Sequence, residues 1–230
     1  MATSGTRTFN PKFAELLSEA FSRIQIRPAA ITQDHIEEAV RSANLMFVSF
    51  GNRVQHQFQL QEVTQALTAS DPTFDLPVGA LDVWSMVVRK DGVDTPVWPM
   101  ARKDYQRIPD KANEGRPFNF FVERGKVGNA LRTVTLWPTP DGTSADEAIM
   151  WVLMRPEDAT GLPENISVAW EWFDAYACDL TARLAEKYAP EQYDAKSIMA
   201  ERAFLTAKGG DRERAPVRMR VRGYSRGRRF

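Results

Sequence analysis

Eight arginines lie within residues 212–230, where Glu213 is the single acidic residue. Guanidinium groups bind carboxylates and phosphates through paired hydrogen bonds, so this segment is suited to an acidic partner. Between positions 217 and 222, apolar residues alternate with arginines, which would put the two kinds on opposite faces of an extended strand. We predict that the segment docks on a partner; a solvated basic end is the alternative. The predicted docking residues are Arg214, Val217, Arg218, Met219, Arg220, Val221, Arg222, Arg226, Arg228 and Arg229.

The rest of the chain has the opposite charge. The whole sequence holds 30 basic and 30 acidic residues, so residues 1–211 hold 22 basic and 29 acidic ones, a net charge of about −7. An acidic body favours protein contacts over general nucleic-acid binding outside the arginine segment.

Other residues that could do chemistry are few, and we predict no enzymatic activity, no cofactor and no metal. His35 and His56 fall in different predicted elements, and with Cys178 they lack the number and spacing of zinc ligands. Cys178 lies on a predicted helix, where a small buried thiol is expected rather than a nucleophile. The adjacent carboxylates Asp146-Glu147 and Glu37-Glu38 do not converge as an acid–base pair would. No glycine-rich phosphate-binding loop is present.

Six tryptophans could stack on bases or sugars. Burial in a core is the more common fate of such residues, and we expect it here. Four lie in or beside predicted strands and two on a predicted helix: Trp84, Trp98, Trp137 and Trp151, then Trp170 and Trp172.

The elements that position these residues begin with two helices. Asn10-Pro11 is suited to start the first, and Arg27-Pro28 ends it. Thr32 is suited to cap the second, which Gly51-Asn52 ends. The short connection predicts an antiparallel pair.

Positions 53–162 are rich in proline, glycine and short β-branched or aromatic runs. Alternation from Val54 and His56 to Leu60 predicts a half-buried strand, although a helix through Leu67 is an alternative. Lys90-Asp91-Gly92 predicts a turn, and Asp141-Gly142 predicts a hairpin between the last two strands. Further strands are predicted at 81–89, 118–123, 133–137 and 149–155, and a short helix at 101–108.

Helical spacing returns near residue 164. Steps of three and four from Ile166 to Tyr188 approach a heptad seam, Ala189-Pro190 breaks it, and a last helix ends at Gly209-Gly210. We therefore predict an α+β fold in which helices from residues 1–52 and 163–211 form a bundle. A small antiparallel β domain at 53–162 is inserted between them, and residues 212–230 form an extended basic tail.

The longest apolar run, Ala148 to Met154, is far shorter than the roughly 20 residues that span a bilayer, so no membrane contact is expected. The start of the sequence lacks an apolar signal core, and one cysteine cannot form an intrachain disulfide. These features favour synthesis in a reducing compartment.

Short signatures occur along the chain in a recognisable order. The most specific are Gly115-Arg116-Pro117 and Leu136-Trp137-Pro138-Thr139-Pro140. In this order the set resembles the head-to-tail adaptor proteins of short-tailed bacteriophages, also called gateway or tail tubular A proteins, over about residues 10–220. The remaining signatures are Leu76-Pro77, Pro96 to Met100, Lys103-Asp104-Tyr105, Ile108 to Lys111, Leu184 to Pro190 and Asp211 to Arg214.

The resemblance implies a structural role in the tail or neck of a virion, made in the host cytoplasm. Proteins of this kind form a twelve-fold ring that joins the portal protein to the tail nozzle protein and continues the DNA channel. DNA would pass without specific binding. A C-terminal segment commonly attaches these proteins to the portal, which would place Arg218 to Arg222 at that contact.

Two other functions stay open from the residues. A DNA-binding accessory protein could use the arginines of 212–230 against phosphates. A cell-wall-degrading tail component would need two carboxylates about 5–10 Å apart in a cleft, and no spacing in the sequence predicts such a pair.

Overall fold

The computed structural model describes residue 9 and residues 11–53, 57–123, 131–143, 145, 147–166 and 168–211. Within them, helices come first and last and a seven-stranded sheet lies between, which confirms the α+β class. The helices are α1 (Phe13–Arg23), α2 (Gln33–Arg53), α3 (Arg102–Gln106), α4 (Phe173–Tyr188) and α5 (Tyr193–Gly210). The strands are β1 (Leu60–Ala66), β2 (Thr73–Asp75), β3 (Ala80–Lys90), β4 (Val93–Pro99), β5 (Asn119–Glu123), β6 (Thr133–Trp137) and β7 (Glu147–Met154).

Helix α1 ends earlier than Arg27-Pro28 predicted, because the chain turns left-handed at Gln25 (φ 65°). The amide of Ile26 donates to Phe21 O and that of Gln25 to Ser22 O, at 3.0 Å each. This pattern closes the helix and satisfies its last carbonyl groups before the proline is reached.

Helix α2 begins where Thr32 was expected to cap it. The amide of His35 donates to Thr32 Oγ1 at 3.4 Å, and the amide of Thr32 donates to His35 Nδ1 at 3.1 Å. This reciprocal pair is a capping box in which a histidine takes the place of the usual Glu or Gln.

The bundle is organised around α4, which packs against α1, α2 and α5. Its centre is aromatic: the Phe50 ring stacks on Tyr176 with centroids 4.4 Å apart and meets Phe204 edge-on at 5.2 Å. Each fully buried side chain of this size contributes on the order of 1.5–3 kcal/mol. Helix α5 is further tied to α2 by Arg53, whose guanidinium lies 2.5 Å from Glu201 and 3.7 Å from the Phe204 ring centroid.

The strands run in the order β1-β7-β3-β4-β5-β6-β2. Every described pair is antiparallel except β4 and β5, which pair in parallel at Trp98–Asn119 and Pro99–Phe120, so the sheet is mixed. Helix α3 occupies the connection between these two strands, as a parallel pair requires a crossover. Asp91 and Gly92, both with positive φ, form the tight turn between β3 and β4 that the sequence predicted.

The predicted hairpin at Asp141-Gly142 is wrong. Strand β6 pairs with β5 and β2, whereas β7 pairs with β1 and β3, so the two lie apart in the sheet. The turn instead meets an earlier loop, where the amide of Ser70 donates to Pro140 O at 2.8 Å.

Two other boundaries differ by more than two residues from the sequence prediction. The seam helix begins at Phe173 rather than near 164, because a 3-10 turn at Trp170–Trp172 precedes it and Ile166 lies in the preceding loop. The first strand begins at Leu60 after a 3-10 turn at Gln57–Gln59; Val54 and His56 lie outside the described residues. Strands β2 and β4 were not predicted.

Two buried clusters are present in the described chain. One lies within the bundle, and the other lies on one side of the sheet and contains Met86, Val97, Phe120, Val134 and Met150. The predicted domain boundaries at 52, 162 and 211 stay predictions.

Candidate functional site

The arginine segment that the sequence singled out lies outside the described residues, as does Asp146. The structure does describe the point from which that segment leaves. Helix α5 ends at Gly210, and the Asp211 carboxylate accepts a hydrogen bond from the Trp172 indole nitrogen at 3.1 Å. The chain therefore enters the arginine segment from a position fixed against the bundle.

A cleft of about 500 Å³ opens in the bundle beside the linker that joins β7 to α4. Its floor is apolar, with the buried rings of Phe13 and Phe47. Its rim carries three carboxylates, Glu157, Asp158 and Glu164. A site with an apolar floor and an acidic rim suits a cationic ligand that also offers apolar groups.

The linker that forms this cleft is held in place by hydrogen bonds to α2 and by hydrogen bonds within the linker itself. The Asn44 side chain donates to Ala159 O at 3.1 Å and accepts from the Ala159 amide at 2.8 Å. Glu164 accepts hydrogen bonds from Thr160 and Gly161, and the bond from the Thr160 hydroxyl is the main reason that the pKa of Glu164 is lowered. The wall of the cleft is therefore pre-formed in the described chain.

The same linker completes α1. Lys12 at the start of α1 makes no capping bond with its side chain. Instead, the amides of Phe13 and Ala14 donate to the carbonyls of Glu164 and Leu162 at 2.9 and 3.2 Å. This contact satisfies amides that the helix itself leaves unpaired and joins the linker to the bundle.

A second groove of about 530 Å³ adjoins the cleft and shares Glu157 and Asp158 with it. It is lined by apolar groups of Phe58, Val78 and Met154. Gln59 also lines it; this side chain is only 6% exposed, and both amide atoms lack a hydrogen-bond partner in the described chain. An unpaired buried amide costs roughly 1–3 kcal/mol, which a ligand with peptide-like groups would recover. Nothing in the sequence around Gln59 indicated this.

A row of tryptophans crosses the face of the sheet opposite its core. Trp151 on β7 pairs with Ser85 on β3, and Trp137 on β6 pairs with Asn119 on β5. Trp98 on β4 also pairs with Asn119, on the edge of β5 that faces away from β6. Trp98 comes directly after Val97, which pairs with Met86 on β3. The three rings therefore occupy alternate strands of one row, about 10 Å apart.

The expectation that the tryptophans form a core is wrong for most of them. Trp172 is buried and Trp137 is half-buried, but Trp84, Trp98, Trp151 and Trp170 are exposed. Trp84 is turned outward by a bulge at which β3 slips by one residue against β7. The alternation of residues along each strand indicates which face of the sheet a tryptophan occupies. Only the register between the strands shows that the rings lie in one row. Exposed aromatic residues are enriched at protein interfaces, so this face is a candidate interaction surface.

Exposed apolar residues also lie on two helices. On α2, Leu45 and Val48 stand one turn apart on the outer face. On α5, Ile198 and Leu205 stand two turns apart, opposite the buried positions Ala200 and Phe204. The bundle thus presents two different apolar strips to its surroundings.

Cys178 is half-buried and lies beside Arg23, whose Nη1 is 2.8 Å from the sulfur. Burial raises the pKa of the thiol more than the nearby guanidinium lowers it. For Arg23, burial alone would lower the pKa, but hydrogen bonds to Asp174 and Glu19 outweigh it and raise the pKa. A protonated thiol held against an ion pair is a packing feature, since a nucleophile needs a lowered pKa.

The other groups considered for chemistry have structural partners. His35 caps α2, and its ring meets Tyr188 edge-on at 4.8 Å. Glu38 accepts from the Tyr188 hydroxyl at 2.8 Å, which is the main reason that the pKa of Glu38 is lowered. Glu147 lies 3.3 Å from Arg89.

The described residues contain no cluster of three or more His, Cys, Asp or Glu side chains placed to hold a metal ion. No helix in the described part of the chain has the length and apolar character needed to cross a membrane.

The family described as SU10 adaptor protein matches residues 11–222, which include both helical ends, the whole sheet and the first part of the arginine segment. No curated protein matches the chain. The chain belongs to the SU10 adaptor protein family and is therefore an adaptor-type structural protein of a bacteriophage.

Proposed function

We propose that this protein forms a ring in the neck of the virion, where it joins the portal protein to the tail nozzle and continues the DNA channel. The family match over residues 11–222 carries this proposal. A single copy with several apolar surfaces outside its cores is suited to assembly with its own kind and with other proteins.

Ring closure needs a head-to-tail interface in which one patch meets a different patch on the next copy. The strip of Leu45 and Val48 on α2 and the strip of Ile198 and Leu205 on α5 provide two such patches. We place the lateral contact between them. Their placement on different helices suits a rotation that repeats around a ring rather than a closed dimer.

The arginines of 212–230 bind carboxylates of the portal in this proposal. Arginine is suited to this task because its planar group makes two parallel hydrogen bonds with one carboxylate. Around a ring each tail can bind weakly, since linked contacts act together as avidity.

The exposed sheet face, with Trp98 and Trp151, is the contact for the nozzle protein. Tryptophan is enriched among the residues that contribute most to protein interfaces. Because the sheet lies between the two helical parts of the sequence, the bundle can pack laterally while the sheet meets a different protein.

The charge of the body suits a channel that passes DNA without holding it. Residues 1–211 carry 22 basic and 29 acidic residues, and an acidic surface repels phosphates. The arginines are then reserved for protein carboxylates.

The proposal is tested by mixing the purified protein with purified portal rings and imaging the particles by electron microscopy. We expect an added ring of density on one end of the portal, with the portal alone as the control. Portals that remain unchanged at an excess of the protein would contradict the proposal.

A DNA-binding accessory role is the second candidate, and the eight arginines of 212–230 are the observation that favours it. It predicts duplex binding by the isolated protein that weakens steeply as salt increases and disappears without residues 212–230. The adaptor proposal predicts no such binding at physiological salt.

A further inference from the structure

The cleft and the groove that adjoin the linker match the arginine segment in three respects. Together they are lined by three carboxylates, those of Glu157, Asp158 and Glu164. They are also lined by one arginine, Arg155, which is paired with Asp158. They offer apolar walls, and they offer the unpaired amide of Gln59. An extended peptide brings the complement of each: cationic groups, apolar side chains and free backbone N–H and C=O groups.

The sequence from Val217 to Arg222 supplies these groups in alternation. Valine and methionine side chains on one face of a strand would meet the apolar surface of Phe58, Val78 and Met154. Arginines on the other face would meet the acidic rim. A neutral or acidic peptide would fit the rim poorly, so the site selects for basic charge.

The segment also begins at the bundle in which the cleft lies. Asp211 is bonded to Trp172, which comes six residues after Ile166 of the cleft wall. The six residues from Asp211 to Val217 span up to about 20 Å when extended.

We propose that, in the unassembled protein, residues 217–222 lie in the acidic cleft of their own chain. The cleft then covers the apolar residues of the segment and pairs its arginines until another acidic partner competes for them. This goes beyond the adaptor role and does not depend on which protein finally binds the segment.

The test is hydrogen exchange of the full-length protein, read from peptides that cover residues 215–223. We expect these amides to exchange at least about tenfold more slowly than in an unstructured chain at low salt. In the variant Glu157→Lys/Asp158→Lys the protection should be lost. The control variant Glu186→Lys/Glu191→Lys makes the same change in charge at the far end of α4. In this control the protection of residues 215–223 should remain. Exchange at the unprotected rate in the unmodified protein would overturn the proposal.

A charge swap separates docking from any disturbance of the fold. The Glu157→Lys/Asp158→Lys variant and an Arg218→Glu/Arg220→Glu variant should each lack the protection of residues 215–223. The variant that combines all four substitutions should regain it. Failure to restore it, while circular dichroism shows the fold intact, would also overturn the proposal.

Dilution distinguishes binding within one chain from binding between two copies. Protection should be independent of protein concentration, with light scattering showing a monomer. Protection that appears only as dimers form would show that the segment enters a neighbour's cleft, and would refute docking within one chain. Binding to portal rings is measured separately, so the adaptor role can fail or stand independently of this result.

Discussion

The carboxylate of Asp211 is held by the indole nitrogen of Trp172, 3.1 Å away, which fastens the end of α5 to the start of α4. Trp172 is 1% exposed and lies in the aromatic centre of the bundle, near Phe50 and Phe204. Among the described residues, the last buried member of either cluster is Ala207. We therefore expect the body of the protein to fold without the arginine segment.

Deletion of residues 212–230 should leave a folded monomer. We expect a loss of no more than about 2 kcal/mol in the free energy of unfolding, which is small beside the 5–15 kcal/mol of a typical domain. Urea unfolding followed by circular dichroism measures this. The same deletion should abolish capture by portal rings in a pull-down experiment.

Replacement of the tail arginines by lysine is the matched control for that deletion. It keeps the charge but removes the paired hydrogen-bond geometry, so capture should weaken without disappearing. Unchanged capture after deletion would show that the arginine segment has no part in attachment.

Substitution of Leu205→Glu should block ring formation while leaving the monomer folded. Leu205 is 56% exposed on α5, so the monomer loses little apolar burial, whereas a carboxylate placed in the lateral contact would be buried without a partner. Analytical ultracentrifugation in the presence of portal rings measures the assembly. Val93→Glu, an equally exposed apolar position on the sheet, should assemble normally. Normal assembly of the Leu205 variant would remove α5 from the interface.

The helices and most strands could be predicted because their signals are local. Strand β6 was predicted with its observed bounds, since its buried and half-buried residues alternate and prolines follow it. Thr32 was recognised as a cap from its type and place. Strand β2 was missed because three residues are too few to show a period. Asp141-Gly142 correctly marked a turn, but a turn does not specify which strands pair.

The candidate sites depend on contacts between distant residues, which no local pattern records. The row of Trp98, Trp137 and Trp151 exists only through the register of several strand pairs, including the parallel one. Gln59 and Glu157 meet in one groove although about a hundred residues separate them. The arginine segment was found from sequence because its charge and alternation are both local.

Substitution of Tyr176→Phe should stabilise the protein. The Tyr176 hydroxyl is fully buried and has no hydrogen-bond partner in the described chain, and burial raises its pKa. Removing an unsatisfied polar group recovers its desolvation cost, so we expect a gain of about 1 kcal/mol in the free energy of unfolding. The control is Tyr188→Phe, which removes a 2.8 Å bond to Glu38 and should cost about 1 kcal/mol. Equal effects of the two changes would contradict this account of Tyr176.

The thiol of Cys178 should resist alkylation at neutral pH. Burial raises its pKa above the ordinary value of 9.0, so the rate of reaction with iodoacetamide should have its midpoint at a higher pH than that of the unfolded chain in urea. Because the folded state holds the proton more tightly, its contribution to stability is complete below pH 9.0 and is lost as pH rises through the folded pKa. A midpoint at or below that of the unfolded chain would contradict this.

Substitution of Trp98→Ala should weaken binding of the nozzle protein without unfolding the adaptor. The side chain is 64% exposed, so its removal should change the free energy of unfolding by less than about 1 kcal/mol. At the centre of an interface, the loss of a tryptophan typically costs about 2 kcal/mol or more, which corresponds to roughly 30-fold in affinity. Titration of the nozzle protein in a calorimeter measures this. Trp170→Ala is the control, because Trp170 is 66% exposed but lies beside the bundle rather than on the sheet. If both variants bound alike, the row of tryptophans would not be the contact.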